Sequence, residues 1–377
     1  MGITELKRRA ISFYINSRGW RTGRKLVVIE SDDWGSIRMP SREVYQKFLD
    51  LGYPVDRLSY LKYDSLESNR DLEALFEVLT SVRDGKGNHP VITANVIMTN
   101  PDFDKIRQSG FKEYHSELFT DTLKRYPEHD RVMDLYKEGI EKHIFHPQLH
   151  GREHLNVNRW MNAIREEKSD ARLAFDHGFF DLSDSHTEIT NNSFMDALSP
   201  ATKKELDEQR LGLQQATSLF QKVFGYSSLS FIAPAYIWRT EIEESLAQNG
   251  IRYIQSNVYQ KIPATGRVNS FRKKLHFTGE VNRWGQLFTV RNAAFEPSSF
   301  HASKAKDLCL LKIEKAFNNQ KPAIICSHRL NFMGSLFPEN RDANLLILKD
   351  LLDEMVQKWS EVEFITSDQL GGIIQEK

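Results

Sequence analysis

Lys25-Leu26-Val27-Val28-Ile29-Glu30-Ser31-Asp32-Asp33-Trp34-Gly35 reads as a buried β-strand that ends in acid. Four apolar residues, three of them β-branched, run without interruption, as in a parallel strand covered on both faces. Adjacent aspartates on a strand face opposite ways unless the chain turns. Gly35 permits such a turn and so allows both acids to reach one cleft. One carboxylate then suits a cation and the other a general base. The plainer alternative is a pair of turn or helix-capping aspartates, since Asp is an ordinary turn residue.

Outward from this stretch, short apolar runs recur at residues 91–98, 144–147, 230–234, 251–255, 287–291, 323–327 and 362–366. Helical patterns lie between them at 71–82, 129–143, 201–224, 241–248, 304–317 and 343–359. Such alternation implies parallel strands joined by right-handed crossovers. Seven or eight units predict a closed or nearly closed α/β barrel, and an open sheet satisfies the same pattern. Two stretches, near 151–200 and 258–285, are too long for simple connections and read as insertions into one domain spanning 1–377. In barrels of this kind the chemistry sits at the carboxyl ends of the strands.

Composition narrows the function classes. Lys plus Arg and Asp plus Glu are 51 each, for a formal charge of zero. That balance argues against broad electrostatic capture of nucleic acid or anionic membrane. The basic runs Lys7-Arg8-Arg9 and Arg272-Lys273-Lys274 read as solvated surface. Two cysteines, Cys309 and Cys326, make no disulfide framework and read as small buried hydrophobes. No run of eighteen apolar residues suggests a membrane span. The amino terminus shows no secretion signal, although Leu6, Ala10, Ile11 and Phe13 would share one side of an amphipathic helix. A cytoplasmic protein is the expectation.

Other strand ends carry chemistry too. His146-Pro147-Gln148-Leu149-His150 places two imidazoles four residues apart, and His154 follows closely. Imidazole favours zinc and other first-row metals. Ala233-Pro234-Ala235-Tyr236-Ile237-Trp238 ends another strand with two aromatics, suited to core or to a flat wall for a sugar ring. Ile324-Ile325-Cys326-Ser327-His328 ends a later one in a histidine that could protonate a leaving group. Four such motifs in chain order point to one barrel mouth.

In this order the motifs resemble those of the polysaccharide deacetylase family, the NodB-homology group of carbohydrate esterases. Glu30-Ser31-Asp32-Asp33-Trp34-Gly35 is similar to its Thr-Phe-Asp-Asp-Gly motif, with Trp34 inserted. His146-Pro147-Gln148-Leu149-His150 resembles its His-Ser/Thr-x-x-His, and Ala233-Pro234-Ala235-Tyr236 and His328 resemble the later motifs. The resemblance implies a distorted (β/α)7-type barrel and a divalent metal, usually zinc, held by Asp33, His146 and His150. It implies Asp32 as the general base and His328 as the general acid in removing an acetyl group from an N- or O-acetylated saccharide. Trp34, Pro234, Tyr236, Trp238 and His154 are the candidates to line the saccharide site. Ala233 stands where the family places the arginine that orients the base, with Arg239, Arg152 and Arg329 as substitutes from elsewhere. Ser256-Asn257 stands where an acid partner for His328 would be sought. The alternatives are an amide or glycoside hydrolase on the same barrel, or a saccharide-binding protein with a degenerate catalytic site.

Overall fold

Nine strands of the computed structural model belong to one parallel sheet. They are β1 (Lys25–Trp34), β2 (Ile92–Ile97), β3 (Phe145–Gly151), β4 (Ser230–Ile232), β5 (Tyr253–Ser256), β6 (Leu287–Val290), β7 (Ala293–Ala294), β8 (Ala323–His328) and β9 (Val362–Phe364). The structure describes residue 14 and residues 17–182, 194–264, 270–299 and 304–376. The amphipathic start (Leu6, Ala10, Ile11, Phe13), the run Lys7-Arg8-Arg9 and residues 265–269 of the second insertion lie outside the described residues.

The spatial order is β6-β5-β4-β3-β2-β1-β8-β7. Its two ends, β6 and β7, are one stretch of chain interrupted by Arg291 and Asn292. That stretch pairs first with β5 and then with β8. Asn292 carries the crossover, with its backbone N–H on Ile324 O and its side-chain oxygen accepting from the Ile324 N–H. The sheet therefore curls until its ends meet, giving an α/β barrel of seven staves in sequence order. β9 is not an eighth stave; it pairs with the first residues of β1, Lys25–Val27.

Strand parity sorts the side chains, because alternate residues face opposite sides. Val27 and Ile29 join the main core under the surrounding helices, whereas Leu26 and Val28 face inward with Tyr253, Leu287 and Ile324. Leu370 and Ile374 of the carboxyl-terminal helix Ser367–Gln375 complete that inner cluster and plug the barrel floor. Gly371 makes the plug fit, since a Cβ there would meet the Tyr253 ring. Above the plug the lumen turns polar: Glu30, Thr93, Asn95, Gln148, Ser230 and Gln255 are all buried. Asn95 and Gln255 exchange amide hydrogen bonds at 2.8 and 2.9 Å, and Ser230 and Gln148 continue the network.

The first insertion contributes helices Val157–Ile164 and Asp170–Asp176, whose Trp160 and Phe175 pack with Ile37 and Ile106 in a separate cluster. The second forms an antiparallel hairpin, Tyr259–Pro263 with Phe271–Leu275. Among the described residues no helix is long and apolar enough to cross a membrane.

Candidate metal centre and acid–base site

The inner face of β1 carries Leu26, Val28, Glu30 and Asp32, so Asp33 would point away from the lumen on a regular strand. The chain breaks this alternation at Asp33 itself, whose φ of 77° is left-handed. Pairing of β1 with β2 shifts register between Ser31 and Trp34 at the same place. Asp tolerates this backbone region better than most residues. Gly35, at φ 80°, completes the turn; a Cβ there would lie 2.6 Å from Ile97 O. Glu67 receives the Gly35 N–H at 3.0 Å and is itself held by Arg329 at 2.7 Å.

The turned carboxylate meets two histidines. Asp33 Oδ1 lies 3.3 Å from His150 Nε2 and 3.3 Å from His154 Nε2, and the three side chains are nearly closed to solvent. His150 Nδ1–H donates to Ile232 O at 2.9 Å, which leaves Nε2 as a lone pair in the neutral ring. Burial pushes the His154 imidazole down to about 3, so that ring is neutral. Burial also resists ionisation of Asp33, but the Arg38 guanidinium, the largest of the opposing influences, outweighs it and holds the carboxyl well below its ordinary range. Asp33 Oδ1 has no hydrogen-bond partner among the described residues. A buried carboxylate oxygen facing imidazole nitrogen is costly without a cation between them. One carboxylate and two imidazoles are also a donor set that zinc accepts, so these residues fit a divalent metal. Arg38 holds the other oxygen, Oδ2, at 3.1 Å.

His146 is not in this cluster. Residues four apart on a strand share a face but lie roughly 13 Å apart. β3 remains extended through Pro147 to Gly151, which leaves His146 low in the barrel. There it stacks on Tyr226, lies 3.2 Å from Asp368, and lines a cleft of about 910 Å³ with His89 and His143. The chain turns only at Gly151, with φ 135°. The pair that converges is thus His150-Gly151-Arg152-Glu153-His154, with the same four-residue spacing one step later.

Asp32 keeps the regular inward direction. Arg291 grips both its oxygens, Nη1 to Oδ2 and Nη2 to Oδ1 at 2.7 Å each, and its Nε reaches Glu30 at 2.6 Å. Asn95 adds a hydrogen bond to Oδ1 at 2.8 Å. Burial raises the Asp32 carboxyl, but Arg291 and the nearby histidines overcome it and hold it at about 2. None of Arg239, Arg152 and Arg329 reaches Asp32; they pair with Glu241, Glu153, and Asp64 with Glu67. The arginine that contacts Asp32 comes from the end of β6 instead.

β1 and β8 pair in a register that sets Asp32 beside His328. His328 Nε2 is 3.8 Å from Asp32 Oδ2, and its Nδ1–H donates to Glu296 at 2.6 Å. Burial disfavours charge on His328, but Glu296 more than compensates and holds the imidazole well above its ordinary value. The acid partner is therefore Glu296, just past β7, rather than Ser256-Asn257. Tyr60 packs edge-on against His328 with ring centroids 5.4 Å apart.

The aromatic candidates divide. Trp34 is fully buried, packs edge-on against Phe145 at 5.0 Å and donates to Ser31, so it is core rather than a sugar platform. Trp238 is also core, with its N–H on Glu243 at 3.0 Å. Tyr236 does reach the site, where its hydroxyl receives Arg291 Nη1 at 2.9 Å. Pro234 lines a neighbouring cavity of about 340 Å³ behind the His150–His154 loop, with Arg152, Asn156, Gln209 and Leu213. Cys309 is buried as expected, but Cys326 is half-buried in the cleft, its Sγ 3.2 Å from Arg291.

The sequence model of glycosyl hydrolase family 57 matches residues 93–276. That is just under half of the chain. No curated protein matches. Among solved structures the chain is similar to a putative polysaccharide deacetylase from Mycobacterium smegmatis, with 12% identity, 95% of this chain and 93% of that one covered, and a TM-score of 0.45. It is similar to a probable polysaccharide deacetylase from Pseudomonas aeruginosa PAO1 (7% identity, 94% and 92% covered, TM-score 0.47). It is similar also to a 4-alpha-glucanotransferase from Thermococcus litoralis (10% identity, 92% and 40% covered, TM-score 0.43).

Proposed function

We propose that this chain is a metal-dependent hydrolase that removes the acetyl group from an N-acetylated saccharide, with Asp33, His150 and His154 holding a divalent ion, zinc by preference. The observation that carries this reading is the buried, unpartnered Asp33 Oδ1 facing two imidazole nitrogens, with a base and an acid beside it. A divalent ion at these donors supplies Lewis acidity for the acetyl carbonyl and for water.

The chain's own groups divide the proton work. Asp32, kept ionised and aimed by Arg291, accepts the proton of the attacking water. Its low basicity is the consequence of that grip, and its fixed position compensates by removing any need to reorient. His328, kept protonated by Glu296, donates from Nε2 to the leaving amine. The Glu296 contact fixes which nitrogen faces the cleft. Tyr60 packs against the His328 ring, and Tyr236 accepts from the Arg291 group that holds Asp32.

Glycoside hydrolysis is the second reading, favoured by the family 57 match. It asks for a protonated carboxylic acid beside the scissile bond, whereas Asp32 and Asp33 are both held ionised. That contrast favours the amide. The test is release of acetate against release of reducing ends from N-acetylated oligosaccharides by zinc-loaded protein. Acetate alone is the expected product, lost in Asp32→Asn while the metal stays bound. Reducing ends without acetate, or full turnover by Asp32→Asn, would overturn the proposal.

A further inference from the structure

We propose that Glu296, Cys326 and His328 form a second, weaker metal site on the acid side of the cleft, which takes a borderline or soft divalent cation and silences the general acid when filled. One carboxylate oxygen, the thiol sulfur and one imidazole nitrogen lie within 4.8 Å of one another. Glu296 Oε1 is the hub, 2.6 Å from His328 Nδ1 and 3.9 Å from Cys326 Sγ. Carboxylate, thiolate and imidazole are donors shared by zinc and its softer neighbours.

Access separates this set from the Asp33 cluster. The side chains of Glu296 and His328 keep 23% and 22% of their exposure, against 2–8% for Asp33, His150 and His154. A cation arriving through the cleft therefore reaches the second set directly. It takes the place of the proton between Glu296 and His328, and binding releases that imidazolium proton and the thiol proton to solvent. Burial raises the Cys326 thiol, and Arg291 Nη1, 3.2 Å from Sγ, opposes that in part while repelling the cation. The second site thus fills after the first. With the metal in place of the Nδ1 proton, His328 is a neutral imidazole whose remaining Nε2–H leaves only as an imidazolate forms. It is then too weak an acid for the leaving amine, so excess metal inhibits. This last step rests on the reading of His328 as the general acid.

Cadmium is the probe, because a cadmium–thiolate bond absorbs in the ultraviolet. Cys309 is sealed in helix Ala305–Asn318, so Cys326 is the thiol that responds. Metal-free wild-type protein titrated with Cd²⁺ should bind about two ions by equilibrium dialysis, with the thiolate band rising only with the second. Cys326→Ser should bind one and lose the band; Asp33→Asn should bind one and keep it. Acetate release should fall in zinc excess as the second site fills. Two ions bound without a thiolate band, or two still bound by Cys326→Ser, would overturn the second site, as would a wild-type protein that saturates at one ion with no band. A band that persists while Asp33→Asn loses no metal would overturn the Asp33 site and leave this one standing.

Discussion

Arg291→Met should destabilise the metal-free protein in a pH-dependent way. The guanidinium is 3% exposed between Glu30 and Asp32, which are 0% and 4% exposed. Removing one partner from a buried ion pair typically costs about 3–5 kcal/mol, because the remaining charge is left without compensation. Part of that can be assigned to one group. Asp32 is held at about 2 against an ordinary 3.8, and a difference of that size is worth about 2 kcal/mol. The sign follows from the direction: a depressed carboxyl contributes stability that is fully present above its unfolded value near 4. That stability is lost as pH falls through about 2. Urea unfolding of wild type and Arg291→Met, both stripped of metal, should therefore differ by about 3–5 kcal/mol at pH 7. The difference should narrow as pH falls from 7, because the mutant's uncompensated buried carboxyls take up protons at a higher pH than Asp32 does when Arg291 holds it. A deficit that stays constant from pH 7 to pH 3, or one below about 1 kcal/mol at pH 7, would refute the assignment of Asp32 to Arg291.

Other consequences are as specific. Glu296→Gln should lower kcat/KM by roughly 10–100-fold, the usual effect of losing a group that orients a functional histidine. Its alkaline limb should move to lower pH, since Glu296 is what holds the His328 proton; an unmoved limb in a pH–rate profile would count against the pair. Trp34→Ala should cost about 3–5 kcal/mol in urea unfolding, as a core truncation does. Saccharide affinity of the remaining folded fraction should be unchanged by calorimetry, and a selective loss of affinity would return Trp34 to the binding site. Gly371→Ala should cost about 1–3 kcal/mol by pressing on Tyr253 in the barrel floor. Thermal melting that leaves Tm unaltered would show that the floor has slack.

Much of the barrel was legible in the sequence because its strands are short, apolar and regularly spaced. All eight candidate runs are strands, and residues 287–291 already ended in Arg291. What the runs did not reveal is that this last one bends at Asn292 and closes the circle, a fact of pairing rather than of periodicity. The site was harder to read for the same reason. His146, His150 and His154 are equally spaced, so spacing alone offers two His-x-x-x-His pairs. Only the point where β3 stops being extended, Gly151, chooses between them. Asp32-Asp33 was readable as a turned pair, though the turn lies at Asp33 as well as Gly35. Arg291 and Glu296 escaped because they were sought near Ala233 and Ser256, while the fold delivers both from the one stretch of chain, β6 to just past β7, that joins the barrel ends. Trp34 and Trp238 are large aromatics near the site, and Trp34 reaches the core only because the turn at Asp33 breaks the alternation that would have pointed it inward with Asp32.

The central claim is that the metal sits with the later histidine pair. Its most direct test is the zinc content of His154→Ala and His146→Ala after reconstitution and removal of loose metal, measured by atomic emission with circular dichroism to verify folding. His154→Ala should lose the ion, and His146→Ala should retain about one per chain. Zinc kept by folded His154→Ala and lost from folded His146→Ala would contradict the account.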